Sequence, residues 1–381
     1  MGESSILRSM ETEMGKVKVI AHDMVTPLGK GSRENFLRIS AGETALRCYD
    51  GKTWGLAEDF VAGIIETPIP SPRARHLASE SIKRTFEHLS HPLPKESTLL
   101  VLSTTKGNIE LLENDSQAKV ELSEMAESLQ KEIELEFTPI VVSNACTSGV
   151  CAIISAMRAL KNGHCQYVIV CGVEAQSRFI ISGFQSFHAL STEPCQPFSA
   201  NRMGLNVGEA AATMILTTAE HTGDEDWTIE AGAIRNDAFH ISGPSRVGEG
   251  SFRALQAVTR QIAPDTLAFI SVHGTATPFN DEMESIAIER AGLQDVPIFS
   301  LKGYYGHTMG AAGVLETILS MEAIDQGVIL GTKGYDNELG VGHPICISAG
   351  NRTTTRREFV KLISGFGGCN AAIRMKKGGD T

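Results

Sequence analysis

Two stretches of this chain share one grammar: a short apolar strand, a turn of small residues, and a helix closed by glycine. That repetition narrows the fold more than any other feature. In the first, Val141 and Val142 lead into Ser-Asn-Ala-Cys146-Thr-Ser-Gly149, helical spacing runs from Val150 to Leu160, and Asn162-Gly163 supplies the stop. In the second, the run 296–300 leads into Lys302-Gly303, and a helical stretch over 310–326 stops at Gly327. Apolar runs at 16–21, 98–103, 138–143, 166–172, 211–217, 266–272 and 358–363 read as further strands. Helical patterns begin near Arg33, cover 74–89 and recur around 115–133. Alternation at these lengths predicts a layered α/β architecture with parallel strands. The likeness of the two stretches points to two similar halves, 1–219 and 220–381, with the polar run 220–226 as connector.

At 381 residues, 42% of them hydrophobic, the chain can bury a sizeable core. No run of about eighteen apolar residues occurs, and acids occupy the start where a secretory signal needs an apolar stretch. A cytoplasmic protein without a membrane partner is expected. Met1-Gly2 resembles a myristoylation start, but Ile6 stands where Ser or Thr is required. The 8 cysteines form no C-x-x-C pair or His/Cys cluster, so reduced thiols and no metal are expected. With 45 acids against 34 bases, the net charge of −11 argues against nucleic acid as a partner. The glycine clusters fit neither G-x-G-x-x-G nor the P-loop pattern, which disfavours nucleotide cofactors.

Chemistry-bearing residues gather at strand ends. The turn at Cys146 points a sulfur at the positive end of the following helix, where unpaired N–H groups favour thiolate over thiol. His273 follows a strand in His-Gly-Thr275-Ala-Thr277, where open α/β sheets place ligand-contacting loops. His307 lies in Lys302-Gly-Tyr-Tyr-Gly-His-Thr-Met-Gly-Ala-Ala-Gly313, again between strand and helix. The turn Ser364-Gly-Phe-Gly-Gly-Cys-Asn370 can bring a backbone N–H close to a reacting atom. Taken singly, Cys146 reads equally as a small buried hydrophobe and His273 as a structural histidine. Together they form the constellation that covalent acyl chemistry needs.

In order and spacing, Asn144-Ala-Cys146-Thr-Ser-Gly, His273-Gly-Thr-Ala-Thr, the Lys302 to Gly313 motif and Gly365-Phe-Gly-Gly368 resemble the β-ketoacyl-acyl-carrier-protein synthases. The likeness is to the elongating Cys-His-His branch of the thiolase superfamily. Thr26-Pro-Leu-Gly29, Ala41-Gly42, Pro197-Phe-Ser-Ala-Asn-Arg-Met-Gly204 and Val207-Gly-Glu-Ala210 extend it over nearly the whole chain. The resemblance implies a thiolase-like fold, two similar halves layered α/β/α/β/α, with the site at their junction. It also implies that Cys146 takes an acyl group from a carrier thioester, with the N–H groups of Cys146 and Phe366 as oxyanion hole. His273 and His307 then stabilise the enolate of a decarboxylating malonyl thioester, which demands a neutral tautomer with Nε2 protonated, held by neighbouring acceptors. Lys302 organises the site electrostatically with Glu316 as its partner, and Gly365, Gly367 and Gly368 shape the turn. Thr275 and Thr277 hold a phosphopantetheine arm that arrives on the substrate, so no resident cofactor is expected. Phe366 gates an acyl pocket guessed at Ile109, Phe184 and Phe187. Arg202 is the candidate for the arm's phosphate or the acidic carrier, with a solvated arginine as the alternative. Arg73, Arg75, Lys83 and Arg84 are either a carrier-docking patch or a solvated helix face. The expected partners are acyl carrier protein and a second subunit, as homodimer or as heterodimer with a related chain.

Two departures matter. The section 48–72 is compressed, and Ser364 stands where housekeeping relatives carry phenylalanine, which leaves a specialised polyene or polyketide-like lipid pathway open beside bulk fatty-acid synthesis. A coenzyme A dependent thiolase would need a second cysteine in a C-terminal Cys-x-Gly setting, and Cys369 comes only after Gly-Gly. A non-catalytic partner subunit would usually lose the nucleophile, which is kept here.

Overall fold

The computed structural model describes residues 15–218 and 226–379. The failed myristoylation start, the proposed boundary at 219/220 and nearly all of the expected connector lie outside the described residues. Five strands of the first half are β1 (Val17–Thr26), β2 (Thr98–Ser103), β3 (Ile140–Val142), β4 (Tyr167–Glu174) and β5 (Ala210–Thr217). Their order in the sheet is β3-β2-β4-β5-β1. In the second half, β6 (Trp227–Asn236), β7 (Leu267–Ser271), β8 (Pro297–Phe299), β9 (Glu358–Gly365) and β10 (Cys369–Lys377) run β8-β7-β9-β10-β6. Counted within its half, each strand occupies the same place, with the two-residue strand Cys346–Ile347 added beyond β8.

The expectation of parallel strands holds only in part. β2 pairs in parallel with β3 and β4, and β7 with β8 and β9, but β5 and β10 run antiparallel to both of their neighbours. β9 and β10 are joined by the tight turn at Gly365–Gly368, a hairpin connection that only an antiparallel pair permits. β1 and β6 pair over three positions, Val17↔Ile229 to Val19↔Trp227, so the half-sheets are continuous at that edge.

Helices complete five layers. α1 (Ser32–Ser40) flanks the end of β1, while α2 (Arg73–Phe86) and α3 (Leu122–Glu132) cover the outer face of the first half-sheet. α4 (Ser148–Lys161) and α8 (Ala312–Asp325) lie between the half-sheets, each touching strands of both. Between these come α5 (Arg178–Ser186), α6 (Glu249–Thr259) and α7 (Pro278–Arg290), of which α6 and α7 cover the second half-sheet from outside. Strand alternation sorts side chains between layers: Leu99 and Val101 join the central cluster, Leu100 and Leu102 the outer one. The expected helix near 115 begins only at Leu122, because the Asp115 side chain accepts from the Gln117 N–H at 2.9 Å and locks a local turn. The irregular section 48–72 contributes Phe60–Gly63 to a small separate sheet with Leu46–Tyr49 and Val207–Gly208. Among the described residues, no helix is long and apolar enough to cross a membrane.

Candidate active site

The two glycine-closed helices meet at their N-termini. A Cβ on Gly149 would lie 2.8 Å from Gly313 Cα, and one on Gly313 only 2.3 Å from the Val150 nitrogen, so the helices touch through bare backbone. This contact brings the turn before α4 beside the turn before α8, which follow the equivalent strands β3 and β8. Cys146 stands two residues ahead of α4, after Ala145 in the left-handed region at φ 47°. Ser148 ties the turn down: its Oγ accepts from the Asn144 N–H at 2.8 Å and donates to the Ala145 carbonyl at 2.6 Å.

The structure brings Cys146, His273 and His307 together, with ligand-capable atoms of all three within 4.8 Å of one another. The imidazole rings meet edge to face, centroids 4.9 Å apart. Burial, then Lys302 and Lys361, hold the His307 ring far below the usual imidazole range, and the same influences together with His307 depress His273. Both rings are neutral at physiological pH. His307 Nδ1 accepts from the Met309 N–H at 3.3 Å, which assigns its proton to Nε2, a buried atom with no hydrogen-bond partner among the described residues. The neighbour that sets this tautomer is therefore a donor, not the acceptor expected from sequence.

The thiol also departs from expectation. Burial pushes Cys146 up from 9.0 to about 11, opposed by Lys302 and by the N–H groups of Phe366 and Cys146, and reinforced by Glu174. Desolvation outweighs the helix terminus, so the resting group is the thiol. The two N–H groups that point at the sulfur are those expected to form an oxyanion hole. Gly365 faces Cys146 closely, its hypothetical Cβ 3.2 Å from the Cys146 nitrogen. Gly367 and Gly368 turn the chain with φ of 81° and 73°, and the Gly367 N–H donates to the Ile241 carbonyl at 2.7 Å.

Lys302 is fully buried and ion-paired with Glu316. The sequence reading missed Lys361, whose ammonium lies 2.6 Å from the other carboxylate oxygen of Glu316. Burial would raise the Glu316 carboxyl, but the two ammonium groups hold it below its ordinary value. Also missed were Asp281 and Glu284 on α7. Glu284 accepts from the N–H groups of His273 at 2.7 Å and Gly274 at 2.6 Å, and Asp281 from those of Thr275 at 3.1 Å and Phe198 at 2.7 Å. Glu174, fully buried at the end of β4, accepts from the backbone of Thr105 at 2.9 Å and Gly310 at 3.0 Å. Acids one turn apart directly after the His273 loop were a usable signal for Asp281 and Glu284.

A cavity of about 540 Å³ opens over the thiol and both imidazoles, and is also lined by Thr275, Thr277, Phe184, Phe187 and Phe366. The Thr275 and Thr277 hydroxyls are 2.8 Å apart. Phe366, 39% exposed, packs against Phe184 and Phe187 with centroids 6.4 and 6.0 Å away. Met203 and Phe279, which sequence reasoning did not single out, stand at the mouth.

Other candidate residues lie outside the cavity lining. Ile109 lies in the short helical turn Ile109–Glu113 and does not line the cavity. Arg202 is absent from the cavity lining and is not a solvated arginine: it donates to the carbonyls of Ser199 at 3.0 Å, Gly340 and Pro278, beside Asp281 at 3.9 Å. It is a clamp between segments. All four bases of the possible docking patch have acidic partners within the chain: Arg73 with Glu209, Arg75 and Lys83 with Glu132, and Arg84 with Asp23. Ser364 Oγ joins a buried polar cluster, 2.9 Å from Asn370 Oδ1 and 3.0 Å from Ser251 Oγ, where a phenylalanine ring could form no such bonds. All 8 cysteines are free.

Comparison with known proteins agrees with this geometry. Residues 130–222 match the beta-ketoacyl synthase N-terminal domain and residues 228–336 its C-terminal domain. The chain is 28% identical to 3-oxoacyl-[acyl-carrier-protein] synthase 2 of Vibrio cholerae, over 71% of this chain and 73% of that protein. It is 32% identical to nodulation protein E of Rhizobium meliloti, over 62% of this chain and 61% of the relative. Among solved structures, a chain of the ketosynthase–chain length factor complex ApeO–ApeC from Xenorhabdus doucetiae superposes with a TM-score of 0.85 at 23% identity. That match covers 96% of this chain and 98% of that one. Both halves of one family, found in order over more than half of the sequence, settle the assignment: this chain belongs to the β-ketoacyl synthase family, the condensing acyltransferases of the thiolase-like fold.

Proposed function

We propose that the chain carries out a decarboxylative Claisen condensation between an acyl group held on Cys146 and malonyl-acyl-carrier protein, releasing 3-oxoacyl-acyl-carrier protein. The observation that carries this reading is the convergence of a thiol, two neutral imidazoles and two inward N–H groups on one cavity. Cys146 attacks the acyl thioester; its proton leaves with the departing carrier thiol, and the N–H groups of Cys146 and Phe366 take the charge on the carbonyl oxygen. The malonyl thioester then loses carbon dioxide, and the electron pair left behind becomes an enolate. His307 donates from Nε2 to the enolate oxygen, with His273 beside it. The enolate carbon attacks the acyl carbonyl, the bond to sulfur breaks, and the Cys146 thiolate regains a proton from solvent. Lys302 and Glu316 set the field beneath the site. Thr275 and Thr277, which line the cavity, hold the phosphopantetheine arm that arrives on the substrate, and no resident cofactor takes part. The product feeds fatty-acid or related polyene and polyketide-like lipid synthesis.

A related second subunit is the companion reading, supported by the paired ketosynthase and chain length factor in the similar solved complex. In such a pair this chain is the member that bears the nucleophile. The test is intact-protein mass after mixing the chain, alone and co-expressed with candidate related subunits, with acyl-carrier thioesters of graded length. An acyl adduct that disappears in Cys146→Ala supports the reading; no adduct in any combination overturns it.

A further inference from the structure

Lys361 does nothing in the reaction as proposed, yet its ammonium is among the most completely buried charges of the described chain. It belongs to β9, where Phe359 and Ile363, two positions before and after it, point into the central layer while Val360 and Leu362 point outward. The ammonium therefore enters the core at the level of α8. There it meets Glu316 Oε2 at 2.6 Å, the Val272 carbonyl at 3.0 Å and the Ser271 carbonyl at 3.2 Å, with Ser271 Oγ at 3.5 Å. One carboxylate, two carbonyls and a hydroxyl make the kind of oxygen cage that holds a small monovalent cation. Here the cation is tethered to the chain.

Three of those oxygens belong to Ser271 and Val272, the residues just before His273. On the far side of the same segment, Glu284 accepts from the His273 and Gly274 N–H groups, so the backbone is gripped from β9 and α7 at once. Through Glu316 the grip extends to Lys302, which opens the turn carrying His307. We propose that Lys361 is a positioning residue of the condensing site, a built-in cation that fixes the His273 segment and supplies the second positive charge beneath the developing enolate. This rests on the condensing reading above. The groups facing the ammonium are Glu316 and Lys302 from the central layer, Glu284 from α7, and the two imidazoles. Burial lowers Lys361 to about 8 against the pull of Glu316, so its charge is lost as pH rises through that value.

The experiment uses full-length protein already acylated on Cys146, which removes thiol ionisation from the readout, and measures carbon dioxide release from malonyl carrier across pH 6 to 9. Wild type is expected to show a rate that falls above about pH 8. Lys361→Met should still load acyl groups but release carbon dioxide more slowly, by on the order of ten- to a hundredfold. In that variant the alkaline limb should vanish. In Lys361→Ala, which empties the cage, ammonium or methylammonium ions should restore part of the rate; Lys361→Met, whose side chain fills it, should not respond. A wild-type profile flat to pH 9, or a Lys361→Met protein with wild-type rate and limb, overturns the proposal while leaving condensation intact. Loss of loading and decarboxylation together in both variants, without rescue, also overturns it and marks a packing role. Wild type that neither loads nor decarboxylates overturns both readings.

Discussion

Cys146 shows how two opposing effects were ranked by structure and not by sequence. A sulfur near a helix N-terminus was expected as thiolate, but burial dominates and the proton stays until about pH 11. Iodoacetamide alkylation of Cys146 should accordingly rise about tenfold per pH unit from pH 7 to 10 without levelling; a plateau below pH 9 would show a resting thiolate. The same shift bears on stability. An unfolded thiol ionises near 9.0 while the folded one does not, so the native state loses stability as pH climbs above 9.0. His307→Ala should slow decarboxylation by on the order of 10²–10⁴ while sparing acyl loading; equal loss of both would refute the division of roles. Cys146, His273, His307 and Lys302 were legible because short motifs with glycine on the flanks announce strand-end turns. Lys361 was not, since a lysine inside the alternating run 358–363 reads as a solvent-facing position until both faces of β9 are seen to be covered.

Elements place these residues through contacts that composition does not announce. The bare-backbone crossing of α4 and α8 leaves no room for a side chain at Gly313, where a Cβ would lie 2.3 Å from the Val150 nitrogen. Gly313→Val should force the helices apart, cost roughly 1–3 kcal/mol or more, and abolish loading together with the altered approach of Cys146 to His307. A thermal melt with the wild-type midpoint would contradict the packing account. Arg202 belongs to the same scale. Because its guanidinium ties Ser199, Gly340 and Pro278 together, Arg202→Ala should lower the melting temperature and leave the KM for carrier thioester unchanged. A raised KM with an unchanged melt would restore the phosphate role. β2, β4 and β5 were readable as unbroken apolar runs, since both faces are covered. β6 and β10 were missed because charged residues interrupt them, and they pair with each other across a long stretch of sequence: Arg235 with Asn370.

For the whole molecule, identical strand order in the two halves gives the site its logic: the turns after the equivalent strands β3 and β8 deliver the thiol and His307 to one junction. The likeness of the two halves could be read from the repeated strand, turn and glycine-closed helix. That their sheets join through β1 and β6, with antiparallel strands in each, could not, because pairing direction is set by connections that leave no local sequence mark. The proposed function stands or falls on whether one cavity both accepts an acyl group and extends it. The most direct measurement is the mass of the carrier-bound product when protein acylated on Cys146 receives malonyl carrier labelled at its free carboxylate. The expected product is a 3-oxoacyl chain two carbons longer, with the label released as carbon dioxide and the thiol regenerated. An acyl-enzyme that persists, or that is discharged only by water, would contradict it.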